Sequence, residues 1–334
     1  MKILHLSKSP LADAPIRLSN FLSKNGLDSK CIQFQKSVME VPNDINWDKK
    51  ENLEQLDDLL DWSDIVHIHN QPPLNNSSSG WDLLKSYSKK KKFVYQVHGE
   101  PNKVIPKMYD NITKWIEFDR VLCIAQYQSI FIGNFITRPY TPVRNIIDIN
   151  DKYFKPKKTK NKIPIVTYSP SNKERLEVLK RKRGSEWSYK SYYEVMPVLE
   201  SLNKKNIIDY KVFYHQNFLE TMKERQKADI HIDDIHTGSY HLSSLEGLSQ
   251  GKMVICNLKS WMTEFLILFL ACGDNELPWV ISDSENLWRT IMRYTVKEKE
   301  QLEVIKYNSR KFMEKYWNSR LVLNDYLKVY EKLI

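Results

Sequence analysis

Between Ala228 and Asn257 the chain reads ADIHIDDIHTGSYHLSSLEGLSQGKMVICN, a stretch with three glycines between which lie a helix start and one carboxylate, Glu246. The protein has nine glycines in 334 residues, and Gly238, Gly247 and Gly251 all fall here. Glycine lets backbone approach a ligand closely, and the free N–H groups of a helix N-terminus favour an anion. Phosphate binding is the chemistry this spacing suggests. Ser243 or Ser244 is the expected cap of a helix over 243–250, which places Glu246 in its first turn. There the carboxylate either improves helix electrostatics or accepts two hydrogen bonds from a ribose diol. Gly251 is expected to end the helix in the left-handed conformation.

Four strand ends carry polar residues, and ligands of open parallel sheets bind at such carboxyl ends. The first, SKSPLADA over 7–14, has no glycine, which argues against a dinucleotide fingerprint. The second ends DIVHIH, where alternation puts His67 and His69 on one face. No third ligand of suggestive spacing accompanies them, so no metal site is expected. The third is His98-Gly99-Glu100 after FVYQV, where His98 either donates to a ligand hydroxyl or caps the next turn. The fourth is Ser169-Pro170-Ser171, followed by Lys173, Arg175, 180–183, Gly184 and Ser185. This basic loop suits an anion.

The elements that must position these residues alternate along the chain. Short runs rich in Ile and Val predict strands over 2–7, 64–69, 93–97, 120–124, 163–168, 210–213, 229–232 and 253–257. Amphipathic stretches between them predict helices over 15–25, 53–62, 189–202, 218–227, 243–250, 260–270 and 286–293. Such alternation argues for parallel sheets built from βαβ units. It is interrupted once, by the basic, aperiodic NDKYFKPKKTKNK ending at Lys162. The expected organisation is an N-terminal Rossmann-like domain over 1–150, a basic linker over 151–162 and a second Rossmann-like domain over 163–310. A helix over 311–334 returns to the first domain.

Composition narrows the class. Hydrophobic residues make up 41% of the chain and aromatics 12%, which is globular rather than disordered. Four widely spaced cysteines without metal-ligand spacing read as buried free thiols in a reducing compartment. MKILHLSKSP is too short an apolar run for a signal peptide, and the apolar run over 265–272 is far short of a membrane span. A cytoplasmic protein is expected, peripheral at the inner membrane face if its acceptor is lipid-linked. The net charge of +10, concentrated at 89–92 and 155–162, is either a solvated surface or an attraction to lipid headgroups, nucleoside diphosphates or nucleic acid.

Taken in order, these elements resemble the GT-B glycosyltransferases, specifically the retaining family-4-like group that uses nucleotide-sugars. The resemblance spans nearly the whole chain. ADIHIDDIHTGSYHLSSLEGLSQGKMVICN is similar to that group's segment of strand, Gly-x-Tyr and Leu-Glu-x-Leu-x-x-Gly-Lys-x-Val-Ile helix. TYSPSNKERLEVLKRKRGS resembles its Pro-Ser loop and basic turn, DIVHIH and VYQVHGE its N-domain strand ends, and RNIIDIN the segment entering the linker.

The resemblance implies two Rossmann-like domains facing an interdomain cleft, with C-terminal helices crossing back to the first. It implies a UDP- or GDP-linked sugar as donor substrate, no cofactor and no metal. Glu246 would bind the ribose, and Arg183 with Lys173 or Arg175 the diphosphate. Ser169 and Ser171 would line the donor, Gly238, Ser239, Tyr240, His241, Leu242 and Ser243 would face it, and His98 would contact sugar hydroxyls. The leaving diphosphate is stabilised by a helix N-terminus and cations. Transfer with retention on the donor's front face then needs no enzymic nucleophile. A glycan or lipid-linked saccharide is the expected acceptor, with DNA carrying modified bases as the alternative. A non-catalytic scaffold that binds a nucleotide-sugar is the third reading. Two departures stand out: Gly238 occupies the position of a frequent second glutamate, and SPLADAP replaces a glycine-rich first loop.

Overall fold

The computed structural model describes the chain outside residues 35–44, 48–51, 75–77, 100–103, 135, 137, 171–189 and 215–216. The described residues form two compact units, Met1–Ile146 with Arg320–Ile334, and Ile147–Ser319.

In the first unit seven strands pair in parallel: β1 (Lys2–Ser7), β2 (Asp28–Gln33), β3 (Ile45–Asn46), β4 (Ile65–His69), β5 (Lys92–Val97), β6 (Arg120–Ile124) and β7 (Tyr140–Val143). Their order is β3-β2-β1-β4-β5-β6-β7, so the winding reverses between β1 and β4. That reversal is where a doubly wound sheet opens a crevice at its strand ends. Helices α1 (Ala14–Lys24), α2 (Leu53–Trp62), α3 (Ser78–Ser88), α4 (Val104–Thr113) and α5 (Tyr127–Phe131) connect the strands.

Alternation divides the sheet's side chains. Leu4, Leu6, Val66, Ile68, Phe93, Tyr95 and Val97 join one apolar core. The intervening residues His5, His67, His69 and Gln96 are also buried. The register sets His5 beside His67, and His69 beside both Ser7 and Gln96.

The second unit holds β8 (Ile165–Tyr168), β9 (Asp209–Val212), β10 (Ile230–Ile232), β11 (Met253–Cys256) and β12 (Val280–Ile281), all parallel, in the order β12-β11-β10-β8-β9. Its helices are α6 (Tyr192–Lys204), α7 (Phe218–Gln226), α8 (Leu242–Ser249), α9 (Ser260–Leu270), α10 (Leu287–Met292) and α11 (Lys299–Tyr316). Here the reversal lies at β8 and β10.

The boundaries differ from the expected 150 and 310. Segment 151–162 is tied into the second unit: Gln226 donates to the Lys152 and Lys155 carbonyls, Gln250 to that of Tyr153, and Asn161 to Asp229. At the other end, α11 belongs to the second unit. The chain leaves it at Asn318 and Ser319, and α12 (Ser319–Tyr330) packs with the first. In that unit Arg144 and Asp325 form an ion pair at 2.7 Å.

Four strands escape the sequence pattern. β3 and β12 have two residues each, β7 carries Pro142 at the sheet's edge, and DSKCIQ of β2 alternates too weakly to register. Helix α6 begins at Tyr192, and Tyr189 lies outside the described residues.

Within the second unit the centre of β10 is His231, wholly buried, with Nδ1 3.2 Å from Thr167 Oγ1. Burial, then the positive charge of Arg225, holds its imidazole well below the usual range. The folded chain keeps it neutral while the unfolded chain takes up a proton near pH 6.5, so stability drops as pH falls below about 6.5, by at most about 1.4 kcal/mol per unit. Asp233 adds a second loss at lower pH. Burial alone would raise its pKa, but the charge and hydrogen bond of His241, with Lys190 and Ser243, lower it. Its stabilisation is complete above about pH 4 and declines below that. Urea unfolding between pH 7 and 5 should therefore show falling stability, and His231→Gln should lessen that slope without abolishing it, because His5, His67, His69 and His98 are lowered by burial in the same way.

Candidate functional site

Asp233 and Asp234 follow β10 directly and organise the turn that leads into α8. Asp233 accepts from the His241 backbone N–H at 2.7 Å and from Ser243 Oγ at 2.6 Å, with His241 Nδ1 at 3.3 Å. Asp234 accepts from Ser191 Oγ at 2.7 Å and the His236 N–H at 2.8 Å. The helix begins at Leu242 with His241 at the N-cap position. The expected serine caps are thereby corrected: Ser243 is spent on Asp233, and Ser244 accepts from the Trp279 indole. Glu246 consequently sits beyond the first turn.

Glu246 is nearly enclosed, and its Oε2 accepts from Arg225 Nη1 at 2.7 Å. Arg225 Nη2 also donates to Ser169 Oγ at 3.1 Å. Three elements thus meet at one point: the end of β8 supplies Ser169, α7 supplies Arg225 and α8 supplies Glu246. A charge-assisted pair in so little water fixes the carboxylate's direction. Nothing in the sequence spacing marked Arg225, because it lies in a separate helix 21 residues before its partner. The adjacent aspartates at a strand's end were the available signal for Asp233 and Asp234.

Each glycine of this stretch has its own reason. Gly251 has φ +65° and its N–H bonds the Leu248 carbonyl, while that of Lys252 bonds Gly247, a Schellman end to α8. A Cβ on Gly247 would stand 3.0 Å from Val254 Cγ2 and 3.2 Å from His231 Cδ2, so glycine there lets α8 lie close on the sheet. Gly238 has φ +81°, and a Cβ would meet Lys259 Cδ at 2.8 Å and Trp261 Cζ2 at 3.0 Å.

The other expected donor residues divide. Tyr240 is fully buried, its ring 5.1 Å from Trp279 and 6.2 Å from Trp317, so it serves the core. Ser239 is buried, with Oγ 3.3 Å from the Tyr240 carbonyl and from Met262 Sδ. Leu242 and His241 are half-buried at the start of α8. Ser171, Lys173, Arg175 and Arg183 lie outside the described residues. His98 belongs to the first unit, just past β5. Its Nε2 is 2.8 Å from His69 Nδ1, and its backbone N–H donates to Asn70 Oδ1. A cavity of about 560 Å³ lies elsewhere in the second unit, lined by Trp279, Phe312, Tyr316 and Lys315 among others, and contains none of these residues.

Solved structures supply the fold. No protein-family model matches the chain, and no curated protein sequence matches it. An alpha-glucosyltransferase in complex with UDP and a 13-mer DNA containing an HMU base aligns at TM-score 0.69 and 9% identity, over 98% of each chain. Anabaena HepE in complex with UDP-glucose aligns at TM-score 0.61 and 12% identity over the full length of both. Sucrose-phosphate synthase from Thermosynechococcus elongatus aligns at TM-score 0.59 and 12% identity over 100% and 99%. The chain has the α/β fold of the GT-B glycosyltransferases, two Rossmann-like units each built on a parallel sheet.

The position of Gly238 generates a prediction. Gly238→Glu would install the carboxylate often present in the resembled group. It would force a left-handed residue, at about 1–2 kcal/mol, and press on Lys259 and Trp261. The variant should unfold at lower urea concentration and bind no donor more tightly, as urea titration and calorimetry would measure.

Proposed function

We propose that the protein is a glycosyltransferase that moves a sugar from a nucleoside-diphosphate donor to an acceptor. The observation that carries this reading is the Ser169–Arg225–Glu246 cluster, where the end of β8 meets α7 and α8 in a chain of GT-B fold. Glu246, aimed by Arg225, is the ribose ligand. Arg183 with Lys173 or Arg175 neutralises the diphosphate, and the turn from Gly238 to Ser243 faces the sugar through its backbone and His241. His98, with Ser169 and Ser171 nearer the donor, completes the set carried by the resemblance. Cations and the start of α8 stabilise the departing diphosphate without a metal on it, and transfer proceeds with retention.

The acceptor is a glycan or lipid-linked saccharide on the first reading, held by the first unit. A specific observation favours a second reading, DNA: the alpha-glucosyltransferase of similar fold is seen with DNA, and this chain carries a net charge of +10. No helix among the described residues is long and apolar enough to cross a membrane. If DNA is the acceptor, duplex containing a hydroxyl-bearing base should be glycosylated, and binding should weaken at least about tenfold between 50 and 200 mM salt. Indifference to duplex DNA removes that reading.

A thermal-shift series with UDP, GDP and their sugars tests the donor site. A ligand at 100-fold its Kd stabilises by about 2.7 kcal/mol. Glu246→Gln and Arg183→Ala should abolish the shift and turnover while the variants remain folded. Unchanged turnover in both overturns the site assignment. A donor that binds but is never consumed would indicate a nucleotide-sugar-binding scaffold.

A further inference from the structure

Four histidines converge at the reversal of the first sheet. His5 comes from β1, His67 and His69 from β4, and His98 from the end of β5, joined by the parallel register rather than by proximity in sequence. His5 Nδ1 lies 3.0 Å from His69 Nε2, and ligand nitrogens of His5, His67 and His69 all fall within 4.8 Å of one another. All three side chains are buried, and the His67 and His69 rings stack with centroids 4.3 Å apart.

Two features suit this set to a cation. Two of the histidines have the other ring nitrogen engaged, His67 Nδ1 on the Tyr330 hydroxyl at 2.8 Å and His69 Nδ1 on His98 Nε2 at 2.8 Å. Metal-ligating histidines are oriented in this way by an outer partner. A buried nitrogen is also left over: His67 Nε2, opposite the nitrogen held by Tyr330, has no hydrogen-bond partner. Such atoms are costly unless something occupies the space they face.

We propose that His5, His67 and His69 bind one divalent transition metal ion of zinc type, with Tyr330 and His98 as the outer partners that orient His67 and His69. Tetrahedral ligands at about 2.0–2.1 Å stand about 3.3 Å apart, close to the present His5–His69 separation, and His67 closes on that pair from within 4.8 Å. Three imidazoles leave a fourth position open. The proposal is independent of sugar transfer and assigns the metal no role on a diphosphate.

Cobalt(II) is the probe. Chelator-treated, dialysed full-length protein titrated with Co²⁺ should develop the visible absorption of a tetrahedral centre, saturating at one equivalent. X-ray absorption of that wild-type complex should show imidazole scattering from three ligands at about 2.0–2.1 Å. His5→Gln and His67→Gln, confirmed folded by circular dichroism, should lose the visible band, and Tyr330→Phe should weaken binding about tenfold. His236→Gln, outside the cluster, should keep it. A wild-type protein that takes up no Co²⁺, an oxygen-only shell, or a band unchanged in both ligand variants overturns the proposal.

Discussion

A parallel sheet is covered on both faces, so a polar side chain at the centre of one of its strands loses water and must find partners in the protein. Much of this molecule's chemistry follows from that constraint. In the first unit one face is apolar through Leu4, Leu6, Val66 and Ile68, while the other presents His5, His67, His69 and Gln96. The C-terminal helix answers that polar face with hydroxyls. Tyr330 meets His67, and Tyr326 lies 3.4 Å from Gln96 and donates to the Arg144 carbonyl. The two tyrosines are four residues apart, the spacing that places both on one side of a helix. The chain's return to the first unit is thus specified by polar matching as well as by apolar packing.

The second unit meets the same constraint with charge. Arg225 and Glu246 are almost wholly buried, and a buried ion pair seldom adds net stability because both partners lose hydration. What it secures is direction. With one guanidinium nitrogen on Glu246 and the other on Ser169, the carboxylate's orientation depends on three elements at once. Lys252 shows the structural counterpart. Its buried ammonium donates to the Gln226 and Ala228 carbonyls, and burial lowers its pKa to about 7. It closes the ends of neighbouring elements and faces no expected ligand residue.

Sequence periodicity was enough to see the central strands, because buried parallel strands read as short apolar runs, and helices α1, α2 and α6 to α10, but it gave no helix at α3 or α4. It missed β3, β7 and β12, where sheet edges tolerate two-residue strands or a proline. A candidate site was legible where one local segment carries it, as with Glu246 and Gly238, though the cap of α8 fell at His241 rather than at a serine. Arg225 was not legible, since its partnership depends on how α7 packs against α8. His67 and His69 showed their shared face by alternation alone. Their third companion, His5, becomes a neighbour only through the β1–β4 register across 62 residues. The glycine cluster taught the opposite lesson. Phosphate approach was one explanation for three glycines together, yet helix termination, close packing and a left-handed turn each account for one.

The two departures from the glycosyltransferase pattern become coherent when read as backbone rather than as residue identity. The first loop lacks glycine, yet Leu11, Ala12 and Asp13 all adopt left-handed φ, at 51°, 54° and 60°. Each non-glycine residue there costs on the order of 1–2 kcal/mol. That conformation persists only if the surrounding structure over-determines it. A sharp turn after β1 is therefore made without the residue that makes it easy. At Gly238 the reverse holds: glycine stands where a side chain is often found, and the backbone has φ +81° with Lys259 and Trp261 closing on the missing Cβ. Both turns stand at carboxyl ends of strands beside a reversal in their sheet.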